Sequence, residues 1–198
     1  MPIATDTAPL TASELERGRL YLQRTRDCVE GATNDLSGAQ WSFKPSPERW
    51  SIAEIVEHMV LTQEAVLGPI WGQLAQAPPA PEDHDRKEVD AIVLNQFAVR
   101  LNQFQAPEML RPTGRWAPEA ALQQLLAGYG RLAEILESSP GLRQHAVPSP
   151  PLKAVTNGKY EFKDGYQWLL TVAAHNERHS KQILEVKADP RFPAGRSS

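Results

Sequence analysis

The sequence predicts an all-α fold, a four-helix up-and-down bundle with a long crossover and one extra helix. Long segments carry apolar residues at helical spacing, and proline-rich loops separate them. No strand-forming alternation of useful length and no internal repeat interrupts this pattern. With 198 residues and 41% hydrophobic content, we expect a single domain. Its core would cover residues 11–187, with a flexible tail at 188–198.

Capping boxes mark the starts of the first two long helices. Thr11-Ala-Ser-Glu14 has this form and opens a helix that continues to about Asn34. Residues 35–49 then read as a connection, because proline and glycine punctuate them. Ser51-Ile-Ala-Glu54 is a second capping box, and helical spacing behind it carries the second long helix to about Ala75.

The extra helix and the crossover follow the second long helix. The proline run at Pro78–Pro81 breaks the chain. From about Asp85 to Gln103 the apolar spacing is again helical, in an element that is either short or bent. Residues 106–117 contain prolines and a glycine, so we expect irregular structure there.

Two further long helices complete the predicted bundle. Pro118 fits the first turn of a helix that continues to about Ser138. Residues 139–163 are rich in proline and glycine and predict a long ordered loop. Asp164 is a suitable N-cap for the last helix, which ends at about Lys187.

Composition narrows the classes of partner and compartment. The net charge of −3 and the lack of a basic stripe disfavour nucleic acid and anionic membranes as partners. The first residues do not have the pattern of a signal peptide, and no apolar run reaches the roughly 18 residues of a membrane span. Cys28 is the single cysteine, and we expect it to pack within a helix rather than to act as a nucleophile. These features predict a cytoplasmic protein.

The segment His175-Asn-Glu-Arg-His179 holds the most informative pair of side chains. At about 100° per residue, the two histidines lie about 40° apart on the apolar face that also carries Trp168 and Ile183. Burying two imidazoles is costly unless something binds them. Two interpretations stay open, a cation held by both rings or a pair of core histidines bonded to nearby acceptors.

The other histidines carry weaker signals. His58 lies on a flank of its helix, about 120° from the centre of the apolar stripe, where a surface or boundary position would be ordinary. We expect His84, which stands among charged residues, to be solvated. His145 falls in the long loop, where it could line the mouth of a site but more simply serves as a loop residue.

Sharper metal motifs are absent from the sequence. A zincin protease needs glutamate directly after the first histidine, whereas Glu177 is two residues on and would face solvent. No Glu-x-x-His pair of a ferritin-like di-iron site occurs, and the capping box already engages Glu54. The nucleophile elbow, P-loop and dinucleotide fingerprint are missing as well.

Three stretches together resemble the DinB-like (DinB/YfiT) superfamily of metal-dependent proteins. They are Trp50-Ser-Ile-Ala-Glu-Ile-Val-Glu-His58, then Phe104-Gln-Ala-Pro-Glu108 with Pro112 and Gly114, and Gly165-Tyr-Gln-Trp-Leu continuing to His175–His179 and Gln182-Ile183. The resemblance implies a four-helix bundle, often a homodimer, with a divalent metal held by three histidines. In this sequence those are His58, His175 and His179.

The resemblance also implies a class of reaction. Characterised relatives include transferases and isomerases that use bacillithiol, mycothiol or glutathione. We therefore expect a site for Zn, Ni or Mn that activates a low-molecular-weight thiol for transfer to an electrophile. A hydrolase using water of lowered pKa, and a non-catalytic bundle with a structural metal or hydrogen-bonded histidines, are the alternatives.

Neighbouring side chains suggest supporting roles. Gln182 lies about 20° from His175 on the helical wheel, so it could orient a ligand or a bound water. We expect Glu57 to have an ordinary surface role and Trp168 to belong to the core.

Overall fold

The computed structural model describes residues 9–99, 106–139 and 141–194. The described chain is mostly helical, with one small sheet. Its elements are α1 (Ala12–Thr33), α2 (Gly38–Ser42), α3 (Ile52–Ala65), a π-helical segment (Val66–Ile70), α4 (Trp71–Leu74), α5 (Arg86–Ile92), a second π-helical segment (Val93–Phe97), a 3₁₀ turn (Glu108–Leu110), α6 (Pro118–Ser138), β1 (Ala146–Pro148), α7 (Pro150–Val155), β2 (Phe162–Asp164) and α8 (Gly165–Lys187).

Four long helices form the bundle. Helix α1 packs between α8 and α6, and α3 packs between the same two helices on the opposite side. Helices α1 and α3 therefore lie across a diagonal from one another. The extra helix α5, with the π-helical segment that continues it, packs on α8. The predicted all-α four-helix bundle with one extra helix is confirmed.

Helices α1 and α8 run in the same direction. Near their starts, the Tyr166 hydroxyl donates to the carbonyl of Glu14, at 2.7 Å. Near their ends, the Lys187 ammonium donates to the carbonyl of Ala32, at 3.0 Å. The first and last long helices are therefore parallel neighbours.

The two middle helices run opposite to this pair. Arg19 near the start of α1 pairs with Glu137 at the end of α6. Arg49, just before α3, pairs with Glu185 near the end of α8. The directions along the chain are thus up, down, down, up, instead of a simple alternation. A parallel α3–α6 pair requires the long crossover that residues 75–117 provide.

Local capping explains where the helices begin. Thr11 with Glu14, Ser51 with Glu54 and Asp164 with Gln167 form reciprocal capping boxes, and Pro118 occupies the first turn of α6. All four predicted helix starts are confirmed, because they depend on contacts only three residues apart. The second long helix reaches Leu74 through its π-helical segment despite Pro69.

The connections hold more structure than the sequence predicted. Residues 139–163 are not only a loop, because β1 and β2 pair antiparallel with Ala146 opposite Asp164, and α7 lies between them. Strands of three residues are too short to show alternation in the sequence. Helix α2, with its own capping box from Ser37 and Gln40, was likewise not predicted. Residues 100–103 of the predicted 85–103 helix lie outside the described residues.

Two expectations about single segments also change. Cys28 is exposed on α1, so the expectation that it is a packing residue of its helix is wrong. The tail after α8 begins with a packed segment, since Gln40 donates to the carbonyl of Pro193 and the Phe192 ring meets Phe43 edge-on. Trp168 is buried in the core, as predicted. No helix among the described residues is long and apolar enough to cross a membrane.

Candidate metal centre

Three histidines from two antiparallel helices meet at the seam between α3 and α8. One ring nitrogen from each of His58, His175 and His179 lies within 4.8 Å of the other two. The ring centroids are 4.4 to 4.9 Å apart. The i, i+4 spacing brings the α8 pair together, and antiparallel packing brings His58 from its flank to face them. The structure therefore unites the three residues that the resemblance selected.

Burial keeps these rings in the form that binds cations. His58 and His179 are only 4% and 7% exposed. Desolvation, together with the smaller effect of the neighbouring His58, lowers the pKa of His175 to about 3. Burial likewise lowers the pKa of His58 and of His179. At neutral pH the three imidazoles are uncharged and have lone pairs available.

Hydrogen bonds fix which nitrogen carries the proton in two of the rings. Nδ1 of His58 lies 2.7 Å from the carbonyl of Leu110, so this nitrogen is the donor. Nδ1 of His179 lies 2.8 Å from Oε1 of Gln182 and donates to it. Each ring then has its Nε2 lone pair free for a ligand. Gln182 thus contacts His179 rather than His175, which was its nearer neighbour on the helical wheel.

The loop that supplies the Leu110 carbonyl is held by Glu57. Its carboxylate accepts the backbone N–H groups of Thr113, Gly114 and Arg115 at 2.9 to 3.0 Å. Burial raises the pKa of the Glu57 carboxyl, but these three donors outweigh it and the pKa is lowered. Glu57 is buried, so the expectation of a surface role is wrong. Its partners lie more than fifty residues along the chain, where no local pattern reveals them.

One aromatic side chain packs against the cluster. The Trp50 ring packs on the His58 ring at 4.9 Å between centroids. Met109, next to Leu110, is 80% exposed. Phe104 and Gln105 of the second resembling stretch lie outside the described residues. An aromatic ring therefore lies against one edge of the histidine cluster.

The remaining histidines lie elsewhere. His84 is half-buried, with Nε2 3.2 Å from Oε1 of Gln167, and burial lowers its pKa, so the prediction of a solvated residue is wrong. Nδ1 of His145 donates to the carbonyl of Ala77 at 2.6 Å. His145 also lines a cleft of about 300 Å³ beside Trp71. None of the three clustered histidines lines that cleft.

Glu177, between the two α8 histidines, has a structural partner. Its carboxylate accepts hydrogen bonds from the Tyr21 hydroxyl at 2.9 Å and from Arg24 at 2.8 Å. Glu177 is therefore half-buried at the α1–α8 contact, and the prediction of a solvent-facing residue is wrong. Its position on the side of α8 that faces α1 agrees with the conclusion that it is not a zincin base.

A second buried polar cluster lies near the start of α8. The Arg143 guanidinium contacts the carboxylates of Asp90 at 2.6 Å, Asp164 at 2.8 Å and Glu14 at 2.6 Å. Gln167 also donates to Asp90. This network ties α1, α5, β2 and α8 together. The positive guanidinium and the negative carboxylates pair with one another, so we interpret this cluster as structural.

Comparison with known proteins places the chain in a family. The sequence model of the DinB superfamily matches residues 21–183. The chain belongs to the DinB superfamily. It is 24% identical over 160 residues to the uncharacterized protein YuaE of Bacillus subtilis (strain 168), covering 77% of this chain and 86% of that protein.

One solved structure is also similar to this chain in its fold. YfiT from Bacillus subtilis aligns over 94% of this chain and 91% of its own, with a TM-score of 0.57 and 14% identity. That protein is described as "a probable metal-dependent hydrolase with an unusual four-helix bundle topology". At this identity the likeness shows the fold alone.

The donor set fits a divalent cation. Nε2 of His58 and Nε2 of His175 are 3.1 Å apart, and two facing lone pairs at that distance repel. Either a proton or a cation must lie between them. Neutral imidazoles suit Zn²⁺, Ni²⁺ and similar ions, and three protein ligands leave further coordination positions available.

Proposed function

We propose that this DinB superfamily member is a metal-dependent enzyme in which His58, His175 and His179 hold one divalent cation. The observation that carries the proposal is the convergence of three uncharged imidazoles, two buried and one half-buried, with one ring nitrogen of each within 4.8 Å of the others. Two of these rings also have Nδ1 engaged by an acceptor, which presents Nε2 to the site. Zn, Ni and Mn are the candidate ions.

The protein's own residues prepare the site in three ways. Burial keeps the rings neutral, the carbonyl of Leu110 and the amide of Gln182 orient two of them, and Glu57 holds the loop that carries Leu110. A cation bound there would lower the pKa of a thiol or a water at a remaining position. Trp50 is placed to contact the apolar part of a substrate at the His58 side.

Thiol-dependent S-transfer is the reaction that we propose first. The support is the resemblance to relatives that use low-molecular-weight thiols, together with a three-histidine site of this kind. Metal-dependent hydrolysis is the second candidate, supported by the description of YfiT, which shares the fold. A bundle in which a cation only joins α3 to α8 is the non-catalytic alternative.

Elemental analysis tests the metal site directly. Protein purified without chelator or affinity tag should contain about one divalent ion per chain. A His175→Ala/His179→Ala variant should lose the ion and keep its helical circular dichroism. His84→Ala is the matched control, since His84 is a half-buried histidine outside the cluster. An ion-free wild type after reconstitution with Zn²⁺, Ni²⁺ and Mn²⁺ would refute the proposal.

Turnover assays then separate the reactions. The metal-loaded protein is offered bacillithiol, mycothiol, glutathione or cysteine with an electrophile, and in parallel ester and amide substrates without thiol. Product that depends on both metal and thiol supports S-transfer, and thiol-independent product supports hydrolysis. A protein that turns over none of these, yet unfolds at a much lower temperature after chelation, would have a structural cation.

We also propose a cytoplasmic homodimer that has no nucleic-acid or membrane partner. The resemblance supports the dimer, and the net charge of −3 argues against a polyanionic partner. Sedimentation equilibrium would decide the oligomeric state, and a monomer at all concentrations would contradict the first part.

A further inference from the structure

The cleft that His145 lines is a separate feature of the fold. It has a volume of about 300 Å³ and lies where α4, the end of α6, the connection after α6 and the start of α8 meet. On α8, its lining residue Gly165 precedes His175 by ten positions, which is about 15 Å along a helix. Small-molecule sites have volumes of about 300–1,000 Å³, so this cleft can accept a ligand of one or two rings away from the proposed metal site.

An aromatic ring and aliphatic side chains form the wall of the cleft. Trp71 and Leu74 are three residues apart on α4, and both line the cleft together with Leu142. Leu74 and Leu142 are buried, whereas Trp71 is only half-buried. A Cβ atom at Gly165 would lie 3.4 Å from Cη2 of Trp71 and 3.0 Å from the carbonyl oxygen of Leu142, so a side chain there would crowd this wall. The exposed part of the Trp71 indole is therefore a flat surface on which another ring can stack.

The direction of the Trp71 side chain depends on an unusual turn. Trp71 directly follows the π-helical segment Val66–Ile70, which contains Pro69. A π-helical turn closes its hydrogen bonds over five residues instead of four, so the side chains that follow are rotated about the helix axis. Such turns are rare overall and occur frequently at functional sites. The wall of the cleft therefore contains a local feature that is typical of sites.

His145 supplies the polar group of the cleft. Its Nδ1 donates to the carbonyl of Ala77 at 2.6 Å, so the neutral ring has its lone pair on Nε2. Nε2 has no hydrogen-bond partner among the described residues and is not a buried atom, so it is open to an incoming donor. The described lining residues include no Asp, Glu, Lys or Arg. A charged ligand would find no counter-charge there, which favours an uncharged ligand that carries a donor.

Backbone hydrogen bonds hold the walls in place. The N–H of Ala146, next to His145, donates to the carbonyl of Pro78 at 3.1 Å. The N–H of Tyr166 donates to the carbonyl of Leu142 at 3.2 Å. The first bond ties the segment after α4 to β1, and the second ties the connection after α6 to the start of α8. A cleft whose walls are already fixed loses little conformational entropy on binding.

We propose that this cleft is a second binding site, for an uncharged aromatic molecule of one or two rings that carries a single N–H or O–H donor. The ring stacks on Trp71, and the donor bonds to Nε2 of His145. Indoles and phenols have the required chemistry. The site is separate from the three clustered histidines, so the inference does not depend on a cation bound by them.

Two isomeric probes test the contact with His145. Skatole and N-methylindole have the same rings and the same atoms, but only skatole has an N–H group. Titration of ¹⁵N-labelled protein, in mildly alkaline buffer that keeps imidazole neutral, measures both affinities and locates the bound ring. We expect saturable shifts at the indole N–H of Trp71 and at the amide of Gly165. Skatole should bind about two- to tenfold more tightly than N-methylindole.

Matched variants test the acceptor and the place. His145→Leu should abolish the preference for skatole, whereas His84→Leu, which changes a half-buried histidine outside the cleft, should keep it. Ala75→Leu adds a side chain at the exposed rim of the cleft and should weaken both probes about tenfold or more. Ala127→Leu is its control, because Ala127 is an exposed helical alanine that does not line the cleft.

The histidine cluster provides a further control. The His175→Ala/His179→Ala variant should bind both probes like the wild type, since neither residue lines the cleft. Loss of probe binding in this variant would overturn a separate site. Failure of the wild type to bind a cation would instead overturn the proposed function and leave this inference intact.

The remaining outcomes also decide the inference. A wild type without saturable shifts at Trp71 overturns the site. Equal affinities of the two isomers in the wild type, or a preference for skatole that persists in His145→Leu, overturn the acceptor and with it the ligand class. Should His145→Leu or Ala75→Leu fail to fold, the comparison of the isomers in the wild type decides alone.

Discussion

Two buried polar clusters in this bundle meet the cost of desolvation in opposite ways. The Arg143 network pairs a guanidinium that is 3% exposed with three carboxylates. The histidine cluster instead removes charge, because burial lowers the pKa of each ring and its partners are a carbonyl and an amide. The guanidinium and the carboxylates of the first cluster are engaged with one another. The neutral rings of the second cluster have converging lone pairs that suit a cation, so the second cluster is the proposed site and the first, centred on Arg143, is a structural frame.

The difference extends to individual ionisable groups. Burial raises the pKa of Asp164 to about 6, although Arg143 opposes that change. Even a paired carboxylate in this core therefore bears a desolvation cost. The comparison predicts that changes in the frame alter stability, whereas changes around the histidines alter cation binding.

Removing the guanidinium at the centre of the Arg143 network should have the largest effect on stability. Arg143→Met would leave three carboxylates without their counter-charge, and we expect the free energy of unfolding to fall by about 3–5 kcal/mol. Urea unfolding measures this loss, and Zn²⁺ affinity should stay unchanged. Lys159→Met is the control, because the Lys159–Glu88 pair is exposed to solvent and surface pairs of this kind contribute little to stability. A loss in Arg143→Met no larger than in this control would contradict the assignment.

Lys163 differs from the Arg143 network because its buried amine has no paired carboxylate among the described residues. The amine lies between the rings of Phe97 and Trp168. Burial lowers its pKa well below the usual value, so the native state binds fewer protons than the unfolded state. Stability from this residue is therefore lost as pH falls. The stability of Lys163→Met relative to wild type should rise on acidification, by up to about 1.4 kcal/mol per pH unit.

Urea unfolding at a series of pH values measures that slope. Thr171, which accepts from Lys163, keeps its own bond to the Gln167 carbonyl in the variant. A pH-independent difference between variant and wild type would mean that the ammonium stays charged between the two rings.

Glu57→Gln should destabilise the loop that carries Leu110, with a smaller loss of stability than Arg143→Met. Loss of the carboxylate that accepts three backbone N–H groups should cost about 1–3 kcal/mol. The native pKa is lowered from 4.5, so this stability is present above the unfolded pKa and is lost as pH falls through the native pKa. Wild type and variant should converge in acid. Glu64→Gln on the same helix is the control, and a gap that persists in acid would be inconsistent with the carboxylate's role.

Gln182→Leu should have the smallest effect on folding and still affect the ion. It removes the acceptor of Nδ1–H of His179, so Zn²⁺ affinity should fall about tenfold. The free energy of unfolding of the metal-free protein should change little, because Gln182 is only partly buried. Calorimetric titration and urea unfolding separate the two effects. Equal affinity in variant and wild type would show that this contact does not orient the ring.

The sequence by itself determined the four long helices and two of the three histidines of the proposed site. Starts such as Ser51 with Glu54 and Asp164 with Gln167 depend on neighbours three residues apart, so their pattern is visible without a fold. The same holds for His175 and His179, whose shared face follows from helical geometry alone. The third histidine was found through resemblance, since its angle on α3 indicated only a flank.

Only the tertiary structure decided how these parts act together. Three contacts join residues more than fifty positions apart in the sequence. They are the packing of His58 against α8, the hydrogen bonds that Glu57 accepts from its loop, and the pairing of Arg143 with Asp90. The same packing selects the ring tautomers and leaves Cys28 outside the core. Local patterns specify where a helix begins and which face is apolar. Which helix that face meets depends on the packing of the whole chain, because burial and hydrogen bonding are satisfied there together.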